Sequence, residues 1–238
     1  MTELNEAMVF AAGFGRRMLP ITEKIPKPLI KIKNKSLICH IIEELIGLNF
    51  TNIVINVHHL HEKIIEEIKH FKPIVKVLYE EKILDTGGGF LNALQNDCFL
   101  KPKNPKLLLN SDVFWRKKTI SPIENICRKW NGHFMDILIS LKPKKDFIGY
   151  IGDGDFNVEK KGSDSMKIIS NEKKKKFVFT GIQIIKPKLI NTEQEVFSMR
   201  EVFFKQLEKG TLYGIEDKNE WFHISNFSDL KKINELEF

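Results

Sequence analysis

The stretch Ala7-Met8-Val9-Phe10-Ala11-Ala12-Gly13-Phe14-Gly15-Arg16-Arg17-Met18, carried on through Pro20, Thr22 and Pro26-Lys27-Pro28-Leu29, decides how this chain folds. Ala7 to Ala12 is a short continuous apolar run, the pattern of a strand buried on both faces, and it empties into a glycine loop. Working outward, Ser36 to Leu48 places Leu37, Ile38, Ile41, Ile42, Leu45 and Ile46 at helical spacing. Ser36 is the expected N-cap, and Glu43 and Glu44 are expected to face away from the core. Asn52 to Val57 then reads as a strand, His61 to His70 as an amphipathic helix and Ile74 to Tyr79 as a strand.

This β-α-β-α-β alternation with short connections implies parallel strands joined by right-handed crossovers. The expected fold is α/β, a Rossmann-like, doubly wound, mostly parallel sheet whose ligand site lies at the carboxyl ends of the strands. Lys106 to Leu109 is the next expected strand and ends at Asn110-Ser111-Asp112. Beyond it, Ser121 to Asn131 and Phe197 to Lys209 read as helices, and Ile137 to Leu141, Phe177 to Ile184 and Leu212 to Glu216 as strands. A terminal helix over Asp229 to Leu236 is expected behind Ser228 as its cap. The Lys-, Gly- and Asp-rich segment from Lys142 to Lys176, with clusters at Lys144-Lys145 and Lys173 to Lys176, reads as solvated turns between strands of a lid-like excursion from the sheet. No linker separates two domains, so 1–238 is taken as one.

Composition narrows the function classes. The 238 residues are 42% hydrophobic and 29% charged, which suits one sizeable globular domain and excludes a disordered tail protein. Lys plus Arg number 38 against 31 Asp plus Glu, a balance of +7 that favours anionic partners. Cys39, Cys98 and Cys127 form no Cys-x-x-Cys pair, so neither a zinc knuckle nor a disulfide framework is suggested, and reduced thiols in a cytoplasmic protein are expected. The segment Ala7 to Gly15 follows Glu3 and Glu6 rather than a basic cluster, unlike a signal peptide. No apolar run approaches the ~18 residues of a membrane span.

The glycine loop itself is a phosphate reader. It lacks the third glycine and the distant acidic residue of a dinucleotide fingerprint, and no Gly-Lys-Ser/Thr occurs anywhere, which excludes a Walker loop. It is followed instead by cations. Glycines let the backbone approach a ligand, exposed amides aim at phosphate oxygens, and Arg17 and Lys27 add a forked cation and a point charge. The chemistry indicated is the handling of a triphosphate.

The loop, Ala11-Ala12-Gly13-Phe14-Gly15-Arg16-Arg17-Met18-Leu19-Pro20-Ile21-Thr22 and then Pro26-Lys27-Pro28-Leu29, resembles that of the sugar-1-phosphate nucleotidyltransferases, Ala-Ala-Gly-x-Gly-x-Arg-Met/Leu-x-Pro-x-Thr followed by Pro-Lys-Pro-Leu. Asn56-Val57-His58-His59-Leu60, Leu84-Asp85-Thr86-Gly87-Gly88-Gly89, Gly154-Asp155-Phe156, Phe179-Thr180-Gly181 and Trp221-Phe222-His223-Ile224 are similar to the N-acetylmuramate-1-phosphate uridylyltransferase branch, in the same order. The resemblance implies the nucleotide-diphospho-sugar transferase type of sheet, with a nucleotide-binding half near 1–115 and a sugar-binding half near 116–238. It implies a reaction in which a sugar 1-phosphate attacks the α-phosphorus of a nucleoside triphosphate, most readily UTP, and releases pyrophosphate with Mg²⁺ as cofactor.

By that resemblance Arg17, Lys27 and Asp112 are the catalytic residues, Asp112 also holding the metal. Ala11, Ala12, Gly13, Gly15, Arg16, Asn56, Thr86, Gly87 and Gly88 are expected around the nucleotide, and Asn110, Asp155 and Gly181 around the sugar. Ser111 replaces the family's glycine in Asn-Gly-Asp, and His223 stands where many relatives have a second metal-binding aspartate. Imidazole is a poor ligand for Mg²⁺, so His223 is a doubtful metal residue, read equally as a phosphate donor or a structural histidine. His58, His59 and His61 cluster without nearby carboxylates or thiols, which argues against zinc. The lysine runs lack interleaved aromatics, so nucleic acid is not the expected partner, and neither is a membrane. The rival readings are mannose- or heptose-1-phosphate guanylyltransferase, phosphocholine cytidylyltransferase, a catalytically silent nucleotide sensor and a basic nucleic-acid-binding protein.

Overall fold

The structure is a computed structural model, and it describes residues 4–160, 167–170, 175–224 and 226–236. The chain opens with β1 (Glu6–Phe10), α1 (Ile21–Lys24), the small ribbon β2 (Lys31–Ile32) and β3 (Lys35–Ser36), and α2 (Leu37–Gly47). β4 (Asn52–Val57), α3 (His61–Ile68), β5 (Val75–Tyr79), α4 (Asp85–Gln95) and β6 (Lys106–Asn110) follow. Next come β7 (Phe114–Arg116), α5 (Pro122–Lys129), β8 (Ile137–Pro143), β9 (Phe147–Ile148), β10 (Asn157–Lys160) and β11 (Lys167–Ser170). β12 (Phe177–Ile185), α6 (Met199–Glu208), β13 (Leu212–Glu216), β14 (Glu220–Phe222) and α7 (Phe227–Glu235) complete the chain.

Among the described residues, nine strands form one sheet in the order β10-β11-β13-β8-β12-β6-β1-β4-β5. β5, β4, β1 and β6 are mutually parallel neighbours, β12 runs against both β6 and β8, and β13 is parallel to β8. With β11 antiparallel to β13 and to β10, every strand of the sheet except β11 and β12 points the same way. The chain winds outward from β1 through β4 to β5 and then crosses back to place β6 on the other side of β1. That reversal opens a crevice at the carboxyl ends of β1 and β6, where a doubly wound sheet binds its ligand.

Apolar side chains cover both faces. Ile38, Ile41, Ile42 and Leu45 of α2, Ile64 and Ile68 of α3, and Ile123 and Ile126 of α5 pack on one side. Phe90 and Ala93 of α4 and Met199, Val202 and Phe203 of α6 pack on the other. All six residues of β4 are buried, which is why that strand reads as a continuous apolar run rather than an alternating one. Helix starts are set by hydroxyls: Ser36 accepts from the Cys39 amide and Ser121 from the Glu124 amide, and Ser198 forms a capping box with Glu201. Cys39, Cys98 and Cys127 are unpaired thiols, and among the described residues no helix is long and apolar enough to cross a membrane.

Several expectations are corrected. The terminal helix is capped by Asn226, whose Oδ1 accepts from the Asp229 amide, not by Ser228, which lies inside it; an asparagine two residues upstream serves as well as a serine. The strands of the Lys142–Lys176 segment are β9, β10 and β11, and β10 and β11 extend the main sheet rather than leave it as a lid. Lys144 and Lys145 form a single 3₁₀ turn after β8, while Lys173 and Lys174 lie outside the described residues. Glu43 is exposed, but Glu44 is half-buried beside Ser121 and Trp115, and burial pushes its carboxyl up. The three glycines Gly87 to Gly89 lie within the first turns of α4.

Candidate active site

The loop after β1 is fixed at both ends before any ligand is considered. The Ala11 amide donates to Asn56 Oδ1 at 3.1 Å. Gly15 turns left-handed (φ 63°, ψ 28°), and a Cβ there would stand 2.9 Å from Thr22 Cγ2 and 3.1 Å from Lys27 Cβ. Only glycine fits that turn. Gly13, by contrast, has nothing within 4 Å of where a Cβ would be, so its face is open space beside the main chain.

Lys27 reaches the same crevice from the next segment. It is 8% exposed, and its Nζ donates to Asp112 Oδ2 at 2.7 Å. Asp112 follows β6. Burial by itself would raise its carboxyl, but Lys27 and then Arg17 outweigh that and hold it below the usual range. Ser111, in place of glycine, donates its hydroxyl to the Phe10 carbonyl at 2.6 Å and so ties the end of β6 to the end of β1.

A cavity of about 550 Å³ fills the crevice. Ala11, Ala12, Gly13, Gly15, Arg16 and Arg17 of the loop line it, together with Lys27, Asn110 and Asp112. Asn56 and Thr86 line it as well. Gly181 does not line the cavity, but it faces Asn110: with φ +85° at an irregularity in the β12–β8 pairing, its missing Cβ would lie 3.0 Å from Asn110 Nδ2.

Other expected residues sit elsewhere. The amides of Gly87 and Gly88 both donate to the Phe197 carbonyl, and a Cβ on Gly88 would lie 2.1 Å from the Glu195 carbonyl. They allow α4 to pack against the segment before α6, and their amides are already engaged. Asp155 accepts from the Phe179 amide and from Arg200, both at 3.0 Å, so its carboxylate anchors the β9–β10 connection to β12 and α6. His223 follows β14 and stacks edge-on with Tyr150 and Phe147. Burial lowers its imidazole first, and Lys27 and Arg17 lower it further against the weaker pull of Asp112 and Asp229. The ring therefore feels the same charges as the Lys27–Asp112 pair. His58, His59 and His61 bond to the carbonyls of Glu80, Thr22 and His58 rather than converging on a cation, and among the described residues no cluster of three or more potential ligands could hold one.

Sequence reasoning missed Glu80. It is 2% exposed at the end of β5, lines the cavity, and accepts from Asn56 Nδ2 at 2.8 Å through Oε1, while Oε2 is buried without a partner. Burial pushes its carboxyl up, only partly offset by Asn56 and the Leu84 amide. The missing side chain of Gly89 makes room for this pair, because a Cβ there would lie 2.8 Å from Asn56 Nδ2 and 2.9 Å from Glu80 Oε1. The signal was available: an acidic residue at the carboxyl end of a parallel strand, the same position in its strand that singled out Asp112.

The sequence pattern of the nucleotidyl transferase family matches residues 6–150. The chain is 26% identical over 228 residues to N-acetylmuramate alpha-1-phosphate uridylyltransferase of Caulobacter vibrioides, covering 92% of this chain and 91% of that one. It is 24% identical over 234 residues to mannose-1-phosphate guanyltransferase beta-A of Xenopus laevis, covering 94% of this chain and 62% of that enzyme, less than two thirds of its length. Among solved structures, UDP-glucose pyrophosphorylase complexed with UDP-glucose superimposes with a TM-score of 0.77 at 14% identity, over 98% of this chain and 97% of the other, which is a likeness of fold.

Proposed function

Because the chain belongs to the nucleotidyl transferase family, we propose that this enzyme joins a nucleoside triphosphate to a sugar 1-phosphate and releases pyrophosphate. The observation that carries the reading is the Lys27–Asp112 pair at the floor of a cavity walled by the glycine loop, at the carboxyl ends of β1 and β6. The triphosphate lies along Gly13 and Gly15, with Arg17 and Lys27 on its oxygens, and the sugar phosphate enters beside Asn110. A phosphate oxygen of the sugar bonds to the α-phosphorus as the bond to pyrophosphate breaks. That oxygen is already ionised at neutral pH, so no general base is needed, and the residues act by alignment and by stabilising charge.

The donor set fits Mg²⁺. Asp112 presents one carboxylate, about a third exposed, and a hard cation commonly takes one or two carboxylates and completes its shell with phosphates and water. His223 fits a phosphate hydrogen bond better than a bond to Mg²⁺, which prefers oxygen ligands. Bound at Asp112, Mg²⁺ would supply charge neutralisation for the departing pyrophosphate.

UTP and N-acetylmuramate 1-phosphate are the favoured substrates, supported by the likeness to the Caulobacter enzyme over nearly the whole chain. Glu80 supports a base with a ring N–H, because it lines the cavity and a carboxylate accepts a hydrogen bond and repels phosphate. Guanine has such a group too, which keeps the mannose-1-phosphate guanylyl reading as the second one. The test is pyrophosphate release in Mg²⁺ across UTP, GTP, CTP, ATP and dTTP, each with N-acetylmuramate, N-acetylglucosamine, glucose and mannose 1-phosphates. Release with UTP and N-acetylmuramate 1-phosphate is expected; silence across every pair overturns the proposal.

A further inference from the structure

The turn between β4 and α3 lies behind the phosphate loop rather than in the cavity, and it grips the loop from outside. His59 Nε2 lies 3.0 Å from the Thr22 carbonyl, and the Thr22 hydroxyl donates to the Gly15 carbonyl at 3.1 Å. That carbonyl also receives the Met18 amide at 2.9 Å. Thr22 is 1% exposed and lies between His59 and the tight turn at Gly15, where its Cγ2 limits the space. Phe14 at the loop tip meets the rings of both His58 and His59, with centroids 5.7 and 5.3 Å away, and the Arg16 guanidinium rests 5.0 Å from the Phe14 centroid. On the same side, Lys63 Nζ donates to the Lys24 carbonyl at 2.6 Å.

We infer that His59 is a positioning residue for the phosphate loop: acting through Thr22, it holds Gly15 in its left-handed turn and keeps Arg16, Arg17 and Lys27 aligned for the triphosphate. His59 is not among the residues that line the cavity, so its effect on a ligand passes through the loop. The imidazole must donate from Nε2, because a carbonyl oxygen can only accept. A glutamine side chain places an N–H at nearly the same reach, whereas a leucine fills the space without a donor. The inference rests on reading the loop as a triphosphate cradle.

The test compares wild type, His59→Gln and His59→Leu. His59→Leu is expected to raise KM for UTP and lower kcat, together by ~10- to 100-fold in kcat/KM, the scale of a displacement of about 1 Å in an aligned site, with KM for the sugar 1-phosphate unchanged. His59→Gln is expected to stay within ~3-fold of wild type. Hydrogen exchange of amides 13–19 in the free protein is expected to speed up in His59→Leu and not in His59→Gln. Equal damage in both variants, an unaltered His59→Leu, or exchange that ignores the substitution overturns the brace. The exchange measurement needs no substrate, so a wild type that turns over no nucleotide would sink the functional reading without touching this one. Thr22→Val, which keeps the shape and loses the donor to Gly15, gives a second variant and is expected to behave as His59→Leu does.

Discussion

The ammonium of Lys27 lies 2.7 Å from a carboxylate oxygen of Asp112, across a separation of 85 residues. One charge arrives on the loop behind β1 and the other on the end of β6, and the order of strands in the sheet makes them neighbours. Each residue holds the other in place until phosphates compete for the cation. Lys27→Ala and Asp112→Ala are each expected to lose at least ~100-fold in turnover, the scale of removing one preorganised transition-state contact. Steady-state pyrophosphate release measures it, and a near-normal rate in either variant removes that residue from the mechanism.

Asn56 holds Oε1 of Glu80, a residue that lines the cavity. In Glu80→Gln the amide oxygen takes the Asn56 donor, so an N–H replaces the second carboxylate oxygen. The ratio of kcat/KM for UTP to that for CTP is expected to fall by ~10- to 100-fold, the worth of a mismatched buried hydrogen bond. The sign for stability is opposite. The folded protein raises this carboxyl, so proton-linked stability is present below the unfolded value and is lost as pH rises through the folded one. Glu80→Gln is expected to melt higher than wild type at pH 7, with the gap closing as the buffer is made acidic.

Glu6 behaves in the other direction. It is 3% exposed and accepts from Asn52 Nδ2 and from the amides of Leu100 and Lys101, with Lys106 Nζ at 3.2 Å. Burial alone would raise the carboxyl, but these donors together hold it below its ordinary value. Its contribution is therefore complete above about pH 4.5 and is lost as pH falls through the folded value. Glu6→Gln is expected to cost about 3–5 kcal/mol at neutral pH, because Lys106 is left buried without its counter-charge. The acid limb of melting temperature against pH should flatten in that variant.

Gly88→Ala separates helix propensity from packing. Alanine improves the helix by about 1 kcal/mol. Its Cβ would stand 2.1 Å from the Glu195 carbonyl oxygen, however, and overpacking against backbone costs about 1–3 kcal/mol or more. A net loss is expected in urea denaturation, and a gain would mean that the segment before α6 yields easily.

His223→Asp offers a hard cation a second carboxylate beside Asp112. Half-maximal turnover is expected at lower Mg²⁺ concentration. Turnover and metal dependence both unchanged would place the ring outside the site.

Local pattern was enough for the parallel half of the fold and for the phosphate loop. An apolar run ending in glycines, a helix capped by Ser36 and a lysine framed by prolines are statements about neighbours in the chain, and local sterics enforce them. The same was not true of residues whose role depends on what approaches from elsewhere. Gly87 and Gly88 resemble a ligand-facing turn in sequence, yet Phe197 takes their amides. Asp155 resembles a free carboxylate, yet Phe179 and Arg200 hold it. Glu80 gave only a weak local signal, and its burial follows from Asn56, 24 residues earlier, and from the space left by Gly89. Periodicity and turn chemistry are short-range quantities and are written in the order of residues. Hydrogen-bond saturation and burial are settled only when distant strands meet, so the tertiary structure decided which of the polar groups near the crevice remain free to meet a ligand.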